Sequence, residues 1–382
     1  MSALVDTQLQ PYAIAFLDWL GCVVGGRDQP AVSAARTTGD LVLLLGTAGH
    51  VLDYDDTYSP GLSHLSAPTA PAALAIAAER GASIGDALAA YAAGFEAMGT
   101  VARASHPGLY ERGWHPTAVC GVVGAAVAAA QLLGADRERA VAIALLRAGG
   151  LRAAFGSDGK ALQVGMSAST GVLAARLAEG GANVPLSEAA HGPAGFEATF
   201  GGCFVEAGRD RAIDQNWIKA WPCCLQTHGA IEAAERIRGA GLGPDDAVEV
   251  ALHPVSLQAA AYGPEPANGL QAKFSIPYLV ALTLLHGPPR VESFGEVDPQ
   301  AARFAADRVR VRADATLAES EAVLVTGSEH VRVQAARGSP ARPMSAAALD
   351  AKLHDLADTR LDGALAEHHQ PARELLALCG MA

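Results

Sequence analysis

The longest apolar stretch of the sequence, residues 118–133, consists mostly of alanine, valine and glycine. Gln131 interrupts it, and it is too short to cross a bilayer comfortably, which takes about 20 apolar residues. We therefore predict a buried helix of a soluble protein. Half of the chain is apolar but only 5% is aromatic, so small side chains must fill the core and allow helices to approach closely. A length of 382 residues favours one large domain and a smaller one.

Hydrophobic periodicity divides the chain into two kinds of segment. Helical spacing predicts helices at 12–24, 41–52, 68–80, 83–103, 117–133, 137–147, 161–179 and 228–238. Beyond Gly239, alternating residues predict strands at 248–252, 309–312, 322–325 and 331–333. Gly327 and Ser328 give a hairpin signal between the last two strands. Further helices are predicted at 273–285, 345–356 and 371–378.

This order predicts a mainly α fold. A large all-α helical domain would comprise residues 1–242 together with 344–382. A smaller α+β lid domain, residues 243–343, would be inserted before the C-terminal helices.

Charge and cysteine usage exclude several classes of function. The net charge of −12 and the lack of a basic stretch argue against nucleic acid and anionic membranes as partners. The N-terminus lacks the pattern of a signal peptide, which predicts a cytoplasmic protein. Six cysteines without metal-type spacing predict free thiols in a reducing compartment, with no metal or iron–sulfur site. No dinucleotide fingerprint or P-loop is present, so we predict no cofactor.

Directly after the second predicted helix come three acids, Asp53, Asp55 and Asp56. Acids this close repel one another, so they persist only if they are hydrogen-bonded, paired with cations or functional. Thr57 and His64 follow closely and add a hydroxyl and an imidazole. The alternative is a helix C-terminus with solvated acids.

A histidine precedes the small-residue helix. Pro116 holds His115 in an extended conformation, and Thr117 could cap the helix. The positive end of the helix dipole would lower the pKa of His115 and favour contact with an anion. The alternative is an ordinary capping loop with an exposed histidine.

Lysine is rare in this chain. There are four lysines among the 28 basic residues, and lysine, unlike arginine, changes its pKa readily. Lys160 follows Gly156 and Gly159 and begins a predicted helix, where the dipole disfavours a cation. This placement suggests a function or a specific acidic partner, against the alternative of a solvated lysine.

Two later segments carry further candidates. Cys223 and Cys224 are adjacent but have no paired base in view, so a thiol nucleophile is not predicted. His228, which opens a predicted helix, is the better candidate. Lys273 and Tyr278 lie at one end of an apolar helix, where the alternative is a tyrosine hydroxyl anchored in a core.

Taken together, these segments resemble the MmgE/PrpD family, which includes 2-methylcitrate dehydratases, cis-aconitate decarboxylases and iminodisuccinate epimerases. The motifs that carry the resemblance are LDYDDT at 52–57, GWHPT at 113–117 and AKFS at 272–275 with Tyr278. The resemblance implies a helical domain with an α+β lid, a site between them, a homodimer, and no metal or organic cofactor.

The family's site residues correspond to Asp53, Thr57, His64, His115, Lys160, His228 and Tyr278. Lys273 is added to these residues, which makes eight predicted site residues. We predict catalytic roles for Asp53, His64, His115 and Tyr278. We predict substrate binding by Thr57, Lys160, His228 and Lys273.

The shared chemistry is removal of a proton beside a carboxylate, with the resulting charge stabilised by cations or hydrogen-bond donors. The expected partner is a small di- or tricarboxylate, and a hydro-lyase similar to 2-methylcitrate dehydratase is the leading interpretation. The alternatives are a carboxylate epimerase, a cis-aconitate-type decarboxylase, and a non-catalytic helical binding protein. Two positions depart from the family: His64 is followed by Leu65 where proline is frequent, and Gln163 stands where decarboxylase-like members have histidine.

Overall fold

The computed structural model describes residues 8–205, 210–239 and 246–381 and is mainly helical, which confirms the predicted fold class. The larger part contains α1 (Gln10–Gly26), α2 (Pro30–Arg36), α3 (Leu41–His50), α4 (Ser66–Arg80), α5 (Ile84–Ser105), α6 (Gly108–Glu111), α7 (Pro116–Leu133), α8 (Arg137–Leu145), α9 (Gly159–Glu179), α10 (Leu186–His191) and α11 (Phe196–Phe200). The smaller part contains α12 (His228–Ile237), α13 (Pro254–Ala259), α14 (Gly269–Ala272), α15 (Ile276–His286) and α16 (Pro299–Arg308). Near the C-terminus are α17 (Ala346–Ala357) and α18 (Arg373–Cys379).

The small-residue helix α7 lies at the centre of the larger core and packs against α4, α5, α8 and α9. The packing is close because the contacts are made by glycine and alanine. A Cβ on Gly171 of α9 would lie 2.5 Å from the Cβ of Ala125. Within the described ranges, α7 is the one helix long and apolar enough to cross a membrane, but 83% of it is buried inside the protein.

The smaller part is built on a four-stranded sheet with the order β4-β3-β5-β6. The strands are β3 (Val248–Leu252), β4 (Val309–Ala313), β5 (Ala322–Thr326) and β6 (Glu329–Val333), close to the predicted positions. β3 is parallel to β4 and antiparallel to β5, and β5 and β6 form the predicted hairpin around Gly327, whose φ is +56°. α12 packs on β5 and β6, and α15 packs on β4.

The buried apolar residues form two clusters that divide between Ile213 and Trp217. The predicted boundary at 242–243 lies outside the described residues. α12, which we assigned to the helical domain, packs its apolar side on the sheet and contributes Ile231 to the smaller cluster. The C-terminal helices pack against the larger cluster, and α17 approaches α1 so closely that a Cβ on Gly21 would lie 2.7 Å from a methyl group of Leu353.

A short antiparallel pair, β1 (Thr57–Tyr58) with β2 (Asn216–Trp217), joins the two parts of the chain. We predicted no strand in the first part, because strands of two residues show no alternation. The pair brings the acidic segment after α3 beside the segment that carries Lys219. The helix predicted at 273–285 begins only at Ile276, because the Ser275 hydroxyl accepts a hydrogen bond from the backbone N–H of Tyr278 and caps it.

Candidate active site

A cleft lies where the two parts meet. It is lined by charged and polar groups from both sides and by three aromatic side chains besides the histidines. The residues of the larger part include Asp53, Thr57, His64, Tyr110, His115, Phe155 and Lys160. Those of the smaller part include Lys219, Cys224, Gln226 and Phe274. Five of the eight predicted site residues therefore line one cleft: Asp53, Thr57, His64, His115 and Lys160.

Asp53 is the electrostatic centre of this cleft. α3 ends at His50, and the chain then turns so that Asp53 has a φ of +53°, a left-handed conformation that non-glycine residues rarely adopt. Its Oδ1 accepts hydrogen bonds from Lys160 Nζ and Lys219 Nζ, each at 2.9 Å. Burial alone would raise the pKa of Asp53, but the two ammonium groups outweigh it and hold that pKa well below its usual value.

His64 is placed to accept a proton at the cleft. Its Nδ1 lies 2.9 Å from the backbone oxygen of Asp56 and 3.2 Å from a carboxylate oxygen of Asp55. Both are acceptors, so Nδ1 carries the ring proton of neutral His64. Nε2 is then the acceptor, and it lies 3.7 Å from Asp53 Oδ1. Burial lowers the pKa of His64 to about 3, so the ring is neutral at physiological pH.

His115 has the complementary arrangement. It occupies the N-cap position of α7, and its side chain points into the cleft. Gln163 fixes its tautomer: Gln163 Oε1 accepts the N–H of Leu151 at 2.9 Å, so Gln163 Nε2 faces His115 Nδ1 at 2.6 Å. Nδ1 therefore accepts, and Nε2 carries the proton. Burial lowers the pKa of His115 well below its usual value, which leaves a neutral donor.

Thr117 does not cap α7, as we had suggested that it could. Its hydroxyl accepts a hydrogen bond from the backbone N–H of His64 at 3.1 Å. It thereby ties the His64 segment to the start of the helix that carries His115.

Behind the cleft lies a pair of groups that were not among the eight predicted site residues. His50 Nδ1 lies 2.9 Å from Asp55, and the His50 ring contacts the ring of His64 edge-on with centroids 4.5 Å apart. The potential ligand atoms of His50, Asp55 and His64 lie within 4.8 Å of one another, close enough to hold a metal ion. Their contacts are those of a hydrogen-bonded chain, however, with Asp55 accepting from both rings.

The adjacent Asp56 is fully buried, and burial together with Asp55 raises its pKa to about 8.

Three predicted site residues do not line the cleft. The Tyr278 hydroxyl accepts a hydrogen bond from the backbone N–H of Asp298 at 2.9 Å inside the smaller core, which is the anchoring arrangement that we gave as its alternative. His228 is buried and packs edge-on against Trp221, with ring centroids 5.1 Å apart. Lys273 Nζ donates to the backbone oxygen of Leu52. Burial lowers the pKa of His228 to about 3 and that of Lys273 to about 8.

Lys219 is the main site residue that the sequence reasoning missed. It is 1% exposed and bonds both the backbone oxygen and Oδ1 of Asp53, each at 2.9 Å. The scarcity of lysine was the available signal, but we applied it to Lys160 alone. Gln163 was noted as a departure from the family, and the structure shows that it orients His115.

Residues 42–204 match the N-terminal domain of the MmgE/PrpD family, and residues 221–378 match its C-terminal domain. The chain belongs to the MmgE/PrpD family. The two matches divide between residues 204 and 221, near the change from the first apolar cluster to the second.

Curated relatives of this family member are named for one activity. A cis-aconitate decarboxylase of Aspergillus terreus is 29% identical over 316 residues, which cover 72% of this chain and 62% of that protein. The human cis-aconitate decarboxylase is 30% identical over 272 residues, covering 66% of this chain and 56% of that protein. The chain thus matches less than two thirds of the length of these relatives.

Proposed function

We propose that this protein is a lyase that removes a proton next to a carboxylate of a small di- or tricarboxylate, without a metal or organic cofactor. In its more specific form, the proposal is a hydro-lyase similar to 2-methylcitrate dehydratase. The observation that carries it is the convergence in one cleft of a cation, Lys160, an acceptor nitrogen on His64 and a donor nitrogen on His115.

Lys160 is the group that binds a substrate carboxylate. It is the second residue of α9, where the helix dipole opposes a cation, and in the described structure its one hydrogen-bond partner is Asp53 Oδ1. The rings of Phe155 and Phe274 lie 5.8 and 5.5 Å from its Nζ. A carboxylate entering the cleft can replace Asp53 as the partner of Lys160. Because Asp53 then has one cationic partner fewer, its pKa rises.

Proton removal falls to His64 Nε2, with Asp53 beside it. Both have low pKa values, Asp53 because of the two lysines and His64 because of burial. The negative charge of a bound polycarboxylate raises the pKa of each neighbouring base. The base takes the Cα proton, and the electron pair of that C–H bond forms the new C=C bond as the β-hydroxyl leaves.

His115 assists the leaving group through its Nε2–H. The β-hydroxyl accepts a hydrogen bond from Nε2 as its C–O bond breaks, and it leaves as water with the proton that His64 removed, so both histidines end the reaction in their neutral forms. In this scheme Thr57, whose Oγ1 lies 3.4 Å from His64 Nδ1, contacts the base and borders the substrate.

A decarboxylase is the second candidate, because the named relatives are cis-aconitate decarboxylases. In that reaction the C–CO₂ bond breaks instead, and a donor such as His115 protonates the carbon. An epimerase would use the same acceptor and donor to remove a proton and return one to the other face. A non-catalytic binding protein on this scaffold would bind the acid through Lys160 and leave it unchanged.

One experiment separates these candidates. The purified protein is incubated in D₂O with 2-methylcitrate, citrate, cis-aconitate and iminodisuccinate, with and without a chelator, and followed by NMR. A hydro-lyase forms an alkene from a hydroxy acid, a decarboxylase releases CO₂, and an epimerase incorporates deuterium with inversion. Absence of reaction and of deuterium uptake with every acid would refute the enzyme, and activity lost to the chelator and restored by iron or zinc would refute cofactor independence.

A further inference from the structure

All four lysines of the chain converge on one three-residue segment, 52–54. Each lysine is almost completely buried, with exposed fractions between 1% and 7%. They come from separate parts of the fold: Lys160 from α9, Lys219 from the segment after β2, Lys273 from the turn before α15, and Lys352 from α17. The other 24 of the 28 lysine and arginine residues are arginines, so every lysine of the chain lies around this one segment.

Three of these lysines bond to three successive backbone oxygens. Lys273 Nζ donates to the oxygen of Leu52, and Lys219 Nζ donates to that of Asp53 at 2.9 Å. Lys352 Nζ donates to the oxygen of Tyr54 at 2.7 Å. We refer to Lys219, Lys273 and Lys352 as the lysine clamp. Lys160 is different, because it bonds the carboxylate of Asp53 and no backbone oxygen in the described structure.

The segment needs such support for two physical reasons. Asp53 has a φ of +53°, and a non-glycine residue stays in that conformation only where the surroundings enforce it. The segment also follows the last turn of α3 within the protein interior, where each backbone oxygen requires a donor. A lysine ammonium is compact and can donate in three directions, so it fits between closely spaced oxygens.

Lys352, like Lys273, does not line the cleft. Its Nζ donates to the backbone oxygens of Tyr54 and Lys219 at 2.7 and 3.1 Å, and it forms an ion pair with Asp18 Oδ1 at 2.6 Å. Asp18 lies on α1 and is completely buried. The pair therefore connects α1 and α17 to both the Asp53 segment and the Lys219 segment.

We propose that Lys352, paired with Asp18, is a positioning residue: with Lys219 and Lys273 it holds Asp53 in the left-handed conformation that aims its carboxylate at Lys160 and His64. The proposal extends the function proposed above and rests on it for its effect on rate. Its structural content, the fixed conformation of 52–54, can be tested without any substrate.

The test compares the double variant Asp18→Asn/Lys352→Met with the wild type. Removing both charges leaves no unpaired ion in the core, so the variant is expected to fold. Amide hydrogen–deuterium exchange of peptides covering 51–58 should become faster. With the acid identified in the D₂O screen, kcat should fall about 100-fold, the scale of an ångström-sized displacement of a reacting group. KM should stay within about threefold, because Lys160 is retained.

Glu232→Gln is the matched control. It removes a buried charge that pairs with Arg236 on α12 of the smaller part, so it lowers stability without touching the clamp. Exchange at 51–58 and kcat should remain as in the wild type. A general loss of stability would instead affect both variants alike.

Lys273→Met provides a second variant should the double variant not fold. It removes the donor to Leu52 and should give the same faster exchange and lower kcat, whereas a substrate-binding lysine would raise KM. Unchanged exchange at 51–58 together with unchanged kcat in the folded variants would overturn the clamp. If no acid reacts in the screen, the proposed function fails, while the exchange experiment still decides the clamp.

Discussion

Single residues decide the chemistry of this cleft through the atoms they present rather than through their type. His64 and His115 are both buried and neutral, with pKa values lowered by burial. They differ because one donates from Nδ1 to an oxygen and the other accepts at Nδ1 from Gln163. The group bonded to Nδ1 fixes the tautomer of a histidine, and the tautomer decides whether Nε2 accepts a proton or donates a hydrogen bond.

Replacing Lys160 by methionine should weaken binding of a carboxylate ligand by about 2–4 kcal/mol, the scale on which a buried charge loses its partner. The change keeps the side-chain stem, and Asp53 keeps Lys219 as a partner, so the protein should fold. Calorimetry with propane-1,2,3-tricarboxylate, which has no hydroxyl to eliminate, measures the effect. Arg303→Met, which removes an exposed cation on α16, is the control. Equal affinity in Lys160→Met and wild type would remove Lys160 from the binding site.

Replacing His115 by alanine should lower kcat/KM by roughly 10²-fold or more, the usual contribution of a general acid or base. Steady-state kinetics with the acid found in the screen gives this number, and circular dichroism checks that α7 remains folded. A loss of about tenfold or less in a folded variant would return His115 to the role of a capping residue.

The raised pKa of Asp56 should make the stability of the protein depend on pH. Its pKa is raised from 3.8 to about 8 by burial and by Asp55, so between these values the folded protein holds a proton that the unfolded chain releases. Its contribution to stability is therefore complete at low pH and is lost as the pH rises towards 8. Asp56→Asn mimics the protonated form and should gain on the order of 1–3 kcal/mol relative to wild type between pH 5 and pH 8.

The Asp56 experiment is urea unfolding of both proteins at the two pH values. Because the other titrating groups are common to both proteins, they cancel in the difference between variant and wild type. A difference that does not change with pH would show that Asp56 is ionised in the folded protein.

At the scale of elements, the larger core depends on glycine and alanine contacts between α7 and its neighbours. A Cβ at Gly171 would lie 2.5 Å from the Cβ of Ala125 and 2.6 Å from the backbone nitrogen of Ala126. The nitrogen belongs to a rigid buried helix and cannot move aside. The same helix carries Lys160, which lines the cleft.

Gly171→Ala should therefore destabilise the protein by about 1–3 kcal/mol, the typical cost of overpacking a core. Gly149→Ala is the control, because no atom lies within 4 Å of its Cβ position, and a change of less than about 0.5 kcal/mol is expected there. Chemical denaturation measures both. Equal stability of the two variants would show that α7 and α9 are not closely packed at this contact.

At the scale of the whole molecule, one apolar surface is left uncovered by the residues that the structure describes. Met166, Leu173 and Leu177 of α9 are 53%, 42% and 46% exposed, and their spacing places them on one face of the helix. We propose that this face takes part in a homodimer interface on the helical part. The rest of α9 packs against α3, α4, α7 and α8.

The dimer prediction is tested by light scattering at micromolar concentration. The wild type should have twice the mass of one chain, and Leu173→Glu/Leu177→Glu should have the mass of a monomer, because two charges cannot be buried in an apolar contact without partners. Leu146→Glu, at another exposed leucine, tests whether the effect belongs to this face. A monomeric wild type would refute the dimer, and a dimeric double variant would place the interface elsewhere.

The sequence by itself determined the regular elements and the family. Helical spacing predicted α1, α3, α4, α5, α7 and α9 to within a few residues, and alternation predicted the strands of the sheet. These patterns are local, because a face buried at a period of 3.6 or 2 shows within a single segment. The motifs around Asp53, His115 and Lys273 were sufficient to indicate the family, although not the part that each residue takes.

The tertiary structure alone decided how the site is assembled. Lys160 lies 107 positions from Asp53, and Lys352 lies 298 positions from Tyr54; no periodicity relates residues so far apart. Packing of α9, α17 and the smaller part around the end of α3 brings the four lysines to 52–54, and the same packing turns Tyr278 into the smaller core. A buried charge is stable only beside its partners, and where those partners lie is a property of the whole fold.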